Sequence, residues 1–194
     1  MPAIHLLLIK PISNMLGIFG RKKIGEEQLA QIFVNAMISM SQEGFQDVSE
    51  IINEDPDFIR TPDLTSDGYI PFLFVIISGN LKFLPKVLEG IDSANVIAKI
   101  YESLAQKFDT SSSSIEQHVK KYQKEMSRLN HPSKNILYGM SKLFFHQYDL
   151  YPYQDDYYTR VQAQNPLVLK RINDIMRAFI WDWEIIGEEY KIVS

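Results

Sequence analysis

His146 and Asp149 stand three residues apart in the 194-residue chain, with Asp155 and Asp156 close behind. On a helix that spacing puts the imidazole and the carboxylate on one face. Such a pair is the minimal set for a mononuclear metal site or a general base. Tyr153 lies between the two acidic positions and completes the lining of a candidate small-ligand pocket. The same letters also describe a histidine at a helix edge beside solvated carboxylates, which is the plainer reading.

The remaining histidines are His5, His118 and His131, and no two histidines lie three or four residues apart. There is no Glu-x-x-His, so the di-iron bundle signature fails. The H-E-x-x-H, Walker, G-x-S-x-G and G-x-G-x-x-G patterns are missing as well. The chain has no cysteine. That rules out disulfides, thiolate zinc sites, iron–sulfur clusters and cysteine nucleophiles, and it fits a reducing compartment such as the cytoplasm. No catalytic, cofactor-binding or metal-ligating residue is assigned on these grounds.

Recognition chemistry is better represented. Six of the ten tyrosines fall between Tyr138 and Tyr158, among Phe144, Phe145, His146 and three aspartates. A tyrosine offers a rigid apolar body with a polar tip, which suits a recognition surface. Pro152 keeps part of this stretch out of a regular helix. Tyr148, Tyr151, Tyr153 and Tyr157 are therefore the first candidates for contact with a protein partner. The competing reading is that these rings staple an irregular connection to the body of the protein.

Charge supplies the second set of candidates. Residues 43–67 hold eight carboxylates against Arg60 alone, and residues 113–142 hold six lysines and arginines against Glu116 and Glu125. Lys120, Lys124 and Arg128 share one helical stripe. They are candidates for an anionic partner, and the acidic stretch for a cationic one. Alternatively both are solvated faces that pair with each other. A net charge of −4 argues against nucleic acid. So does the helix itself, where Tyr122 points to the apolar side instead of interleaving with the basic residues. Ser111 to Ser114 read as a loop with a helix cap, or as an anion or phosphorylation site.

The elements that position these residues read as helices. Leu29, Phe33, Met37 and Met40 recur at helical spacing, and Gly44 is a plausible stop before a second helix over 45–54. Thr61-Pro62 and Ser66-Asp67-Gly68 are turn chemistry. The apolar run from Tyr69 to Ile77 suits a buried strand as well as a buried helix, and its helical neighbours and Pro71 at a helix-start position favour the helix. Helices follow over 92–108, from Ser113 (with Glu116 at capping-box spacing) to Leu129, and from a Ser133 cap to Tyr148. Asn165-Pro166 then starts a last helix that runs through Trp183 and Ile186 to Gly187, leaving a tail. The total is seven or eight helices with no convincing strand pairing. The expectation is an all-α bundle or short helical array, divided into residues 1–24, 25–92 and 93–194 but forming one continuous domain.

Within residues 27–92, Asp67-Gly68, Pro71, Gly79-Asn80-Leu81 and Val87-Leu88-Glu89-Gly90 follow one another in the order of an ankyrin repeat. This stretch resembles degenerate ankyrin-like helix pairs. Gly44 and Gly79 lie 35 residues apart, near the ankyrin period of about 33. The resemblance implies that each glycine ends a first helix and lets the chain reverse. It also implies a unit of a kind that usually binds partners and rarely does chemistry. The chain departs from the pattern at Ile70, at Phe74 and at Pro85, and no third unit follows.

Ile4 to Ile9 are apolar and Arg21 to Lys23 basic, which sketches a peripheral membrane contact. Lys10 and Pro11 interrupt the run, and the expectation is a docked or frayed end, with Met15 a natural start. The reading from sequence is thus a cytoplasmic, non-enzymatic helical adaptor that binds another protein. The alternative is a small-ligand binder or enzyme with a pocket near His146, Asp149 and Tyr153.

Overall fold

A computed structural model describes residues 21–88 and 91–193. The expectations for the apolar run at 4–9 and for Met15 lie outside these residues. Among them are eight helices: α1 (Glu26–Asn53), α2 (Tyr69–Val87), α3 (Ile91–Lys107), α4 (Ser112–Asn130), α5 (Ile136–Gln147), α6 (Asp156–Arg160), α7 (Pro166–Arg177) and α8 (Trp183–Glu189). Short 3-10 turns cover Ser66–Gly68 and Tyr151–Tyr153. The fold is all-α.

The middle of the bundle is α2. Every residue from Phe72 to Leu81 is buried, because α1, α3, α4, α5 and α8 all pack around it. A helix enclosed on all sides can be apolar all round, which is why its sequence shows no amphipathic period. By length and composition it is the one described helix that could cross a membrane, and here neighbouring helices cover it. Next to it, α3 packs against both α1 and α4, and α7 packs on α5.

Three glycines allow this close packing. A Cβ on Gly79 would lie 2.2 Å from the Met140 sulfur, and one on Gly139 would lie 2.9 Å from Met126 Cγ. On Gly44 it would lie 3.0 Å from the Phe179 ring. Each glycine is a hole in one helix that takes a side chain from another element. This corrects the expected boundaries. Helix α1 runs unbroken through Gly44, and α2 runs unbroken through Gly79 and past Pro85. The chain does not reverse at either glycine.

Other boundaries also shift. The N-cap of α4 is Ser111, whose hydroxyl accepts the Ser114 N–H at 3.1 Å, and that of α5 is Asn135, which accepts the Tyr138 N–H at 3.0 Å. Ser113 and Ser133 do not hold those places. Asn165 does cap α7 as its Asn-Pro pair predicts. The expected long last helix is two, parted at residues 178–182, and the buried Asn80 accounts for the break. Its side-chain NH2 donates to the Phe179 carbonyl at 2.9 Å, its side-chain oxygen accepts the Trp181 N–H at 2.7 Å, and its own backbone carbonyl accepts Trp183 Nε1 at 3.1 Å. The first two of these bonds take backbone groups that a continuous helix would use in its own ladder, and the third holds Trp183 in the core. The expected tail is also structured. β1 (Lys22–Gly25) and β2 (Tyr190–Val193) form a two-stranded parallel pair in which Ile24 faces Ile192.

Candidate functional site

The tyrosine-rich connection between α5 and α7 folds around one amide. Gln154 is fully buried, donates to the Ala163 carbonyl at 2.9 Å and accepts the Asn165 N–H. Asp155 then caps α6 by accepting the N–H groups of Tyr157 and Tyr158, and Thr159 Oγ1 donates to the Tyr151 carbonyl at 3.0 Å. The connection is therefore a built surface and not a loose loop.

A second segment lies along it. The Ile59 N–H donates to the Tyr153 carbonyl at 2.8 Å, and Arg60 donates to the Pro152 carbonyl at 2.8 Å while its guanidinium stands 5.8 Å from the Tyr153 ring. The segment is clamped from α7. The Arg171 guanidinium meets the fully buried Asp55 carboxylate through two bonds at 2.5 Å and also pairs with Asp57. These carboxylates, Asp55 first, hold the Arg171 pKa above its ordinary value. Residues 55–60 are thereby fixed against the connection.

The four tyrosines assigned to a partner surface divide. Tyr148 is half-buried and bonded to the start of α2. Its hydroxyl donates to the Gly68 carbonyl at 2.7 Å and accepts the Phe72 N–H at 3.0 Å, and its ring stacks on Phe45 and packs on Phe144. Burial pushes its pKa well above the usual phenol range. Tyr151 is half-buried, edge-on to Phe145, and accepts a bond from Gln164 at 3.2 Å. Tyr153 is half-buried beneath Arg60. Tyr157 is 62% exposed and stands on α6 beside Tyr158. The sequence reading missed three further exposed apolar residues, Ile59, Val161 and Leu167, which are 59%, 54% and 55% exposed. Their signal was an apolar letter out of phase. Leu167 falls outside the buried stripe of Val168, Leu169, Ile172, Ile175 and Met176, and Ile59 and Val161 sit among turn residues.

His146, Asp149 and Tyr153 have separate surroundings. The His146 Nε2 stands 3.1 Å from Glu125 on α4. Asp149 is exposed with a left-handed φ of 46°, and Tyr153 is occupied by Arg60. A shallow cleft of about 340 Å3 lies close by, lined by Tyr138, Lys142, Tyr151, Gln164 and Leu169 among others. The Lys142 ammonium donates to the Leu129 carbonyl at 3.2 Å and stands 4.7 Å from the Tyr138 ring. The cleft holds one cation and two phenols but no acid–base pair. No group of three histidines and carboxylates among the described residues is placed to hold a metal ion.

The basic stripe is exposed along α4. Lys120 pairs with Glu116 at 2.6 Å and Arg128 with Glu125 at 3.4 Å, while Lys124 makes no ion pair with a described residue. The acidic stretch does not neutralise it, since no ion pair joins the two. No protein-family model matches the chain, and no curated protein or solved structure is significantly similar to it.

Proposed function

We propose that the chain is a non-enzymatic helical module that binds another protein at the connector end of the bundle. One observation carries the reading. Of the six large apolar side chains exposed among the described residues, four (Ile59, Tyr157, Val161 and Leu167) come from the segment at 55–60, the connection between α5 and α7, and the first turn of α7. These segments are tied together by the bonds of Ile59, Arg60 and Arg171. Exposed apolar side chains on segments held in place are what a protein interface uses, and tyrosine is enriched among residues that dominate binding energy. The reading does not depend on the ankyrin resemblance, which pointed in the same direction.

The test is site-specific photo-crosslinking in native cells, with the probe at Tyr157 or Leu167 and a control probe at the exposed Ile32 on α1. A discrete adduct from the two connector positions, lost in a Tyr157→Ser/Leu167→Ser background probed at Val161, is the expected result. Equal labelling from Ile32, or an adduct that survives the double substitution, would exclude this surface.

The second reading is a small-ligand site in the neighbouring cleft. It is favoured by the Lys142 ammonium, which lines the opening between two tyrosines and suits an anionic, partly aromatic ligand. Lys142→Ala would remove such binding and leave the crosslink unchanged.

A further inference from the structure

Helix α1 carries five carboxylates and no lysine or arginine, while α4 carries four lysines and arginines against two carboxylates. On α1, Glu43, Asp47 and Glu50, with Glu54 just beyond, follow one another at steps of four, three and four, so they line one face. All four are exposed. That stripe is about 17 Å long, and the stripe Lys120, Lys124, Arg128 on α4 is about 12 Å long at the same one-turn spacing. Lys121 flanks it and is exposed.

Inside the molecule the basic stripe is paired only in part, and the acidic stripe accepts bonds from the neutral Ser39 and Gln46 side chains but makes no ion pair with a described residue. The carboxylates sit in the C-terminal half of α1, where the helix dipole is already negative and where a cation would be the stabilising choice. No basic residue occupies the last turn. Nor is α4 self-neutralised. Glu116 is taken by Lys120, and Glu125 is shared by Arg128, His146 and Gln147. Lys121 and Lys124 are left with no ion pair to a described residue. Helix α3 packs against both α1 and α4, and no ion pair joins the acidic to the basic stripe. One molecule therefore presents two complementary faces that do not neutralise each other.

We infer that the chain associates head to tail with a second copy of itself, the acidic stripe of α1 in one copy lying on the basic stripe of α4 in the next. The contact is heterologous, so each added copy leaves one free face of each sign until a ring closes. It is also weak, because exposed ion pairs contribute little each and salt screens them. It uses none of the connector residues of the function proposed above, and its failure would leave that proposal standing.

Sedimentation velocity on the full chain tests it, at about 10 mM salt, where charges act over roughly 30 Å, and at about 1 M, where they act over roughly 3 Å. The expected result is a weight-average mass that rises with concentration at low salt and falls to the 22.5 kDa monomer at high salt. Lys121→Glu/Lys124→Glu and Asp47→Lys/Glu50→Lys should each abolish the rise while keeping the helical circular dichroism of the wild type. An equimolar mixture of the two variants should restore it, since each then presents the charge the other lacks. A wild type that stays monomeric at low salt would overturn the proposal and leave the stripes to an unlike partner. So would association indifferent to the variants, or a mixture that fails to associate.

Discussion

The side-chain oxygen of Asn80, midway along α2, accepts the backbone N–H of Trp181 at 2.7 Å across 101 residues of chain. The same side chain donates to the Phe179 carbonyl, so one buried amide holds both edges of the break between α7 and α8. Asn80→Leu keeps the branched shape, with slightly larger methyl groups, and removes both bonds. Each stranded buried group costs about 1–3 kcal/mol, so a loss of roughly 2–6 kcal/mol is expected from urea unfolding. The chain's two tryptophans both lie in this segment. Their emission should therefore shift to the red before the far-ultraviolet circular dichroism changes. A single coincident transition at the wild-type midpoint would show that the segment does not depend on Asn80.

Tyr148 bridges the Gly68 carbonyl and the Phe72 N–H at the start of α2. Tyr148→Phe keeps the ring between Phe45 and Phe144 and deletes only the bridge, at an expected cost of about 1–3 kcal/mol. The alkaline limb should also change. Because the folded phenol titrates above the ordinary value of about 10, its contribution is fully present below that pH and is lost as the pH climbs past it. Thermal melts of Tyr148→Phe should fall less steeply above about pH 10 than those of the wild type. An unchanged alkaline slope would place the titrating group elsewhere.

Gly79 and Met140 form a knob and a hole between α2 and α5. A Cβ at Gly79 would lie 2.2 Å from the fully buried Met140 sulfur. Gly79→Ala should therefore destabilise by about 1–3 kcal/mol through overpacking, although alanine is the better helix former. Adding Met140→Ala should recover part of that loss, and a double-mutant cycle should give a favourable coupling. Additive effects would mean that Gly79 serves the helix for some other reason.

The fold class was legible in the sequence because amphipathic periodicity is a local signal, and α3, α4, α5 and α7 carry it plainly. What misled was glycine and asparagine. Gly44 and Gly79-Asn80 have the letters of a helix end. Their actual work is tertiary, since the glycines admit Phe179 and Met140 and Asn80 ties down the segment from Phe179 to Trp183. No window of sequence contains both partners of such a contact, so propensity alone reads a turn. The same gap hid the pairing of β1 with β2, which joins residues 22–25 to 190–193. At the candidate surface, composition located the tyrosine-rich connection. Which rings turn inward depended on remote groups. Tyr148 is claimed by Gly68 and Phe72, Tyr153 by Arg60, and Tyr157 by neither.

Arg171 positions the segment that carries Ile59. Its partner Asp55 has a fully buried side chain, so Arg171→Met would strand a charge away from water, and about 3–5 kcal/mol of stability should be lost. Arg171→Lys should recover only part of it, because an ammonium cannot reproduce the forked contact with Asp55 and Asp57. Asp55→Asn/Arg171→Met removes both charges and should be markedly less harmful than Arg171→Met alone. Hydrogen exchange tells a local from a global effect. With Arg171→Met, the Ile59 amide bonded to the Tyr153 carbonyl should lose protection more than amides in the middle of α2. Equal loss at both places would mean that the clamp supports the whole bundle and not this edge.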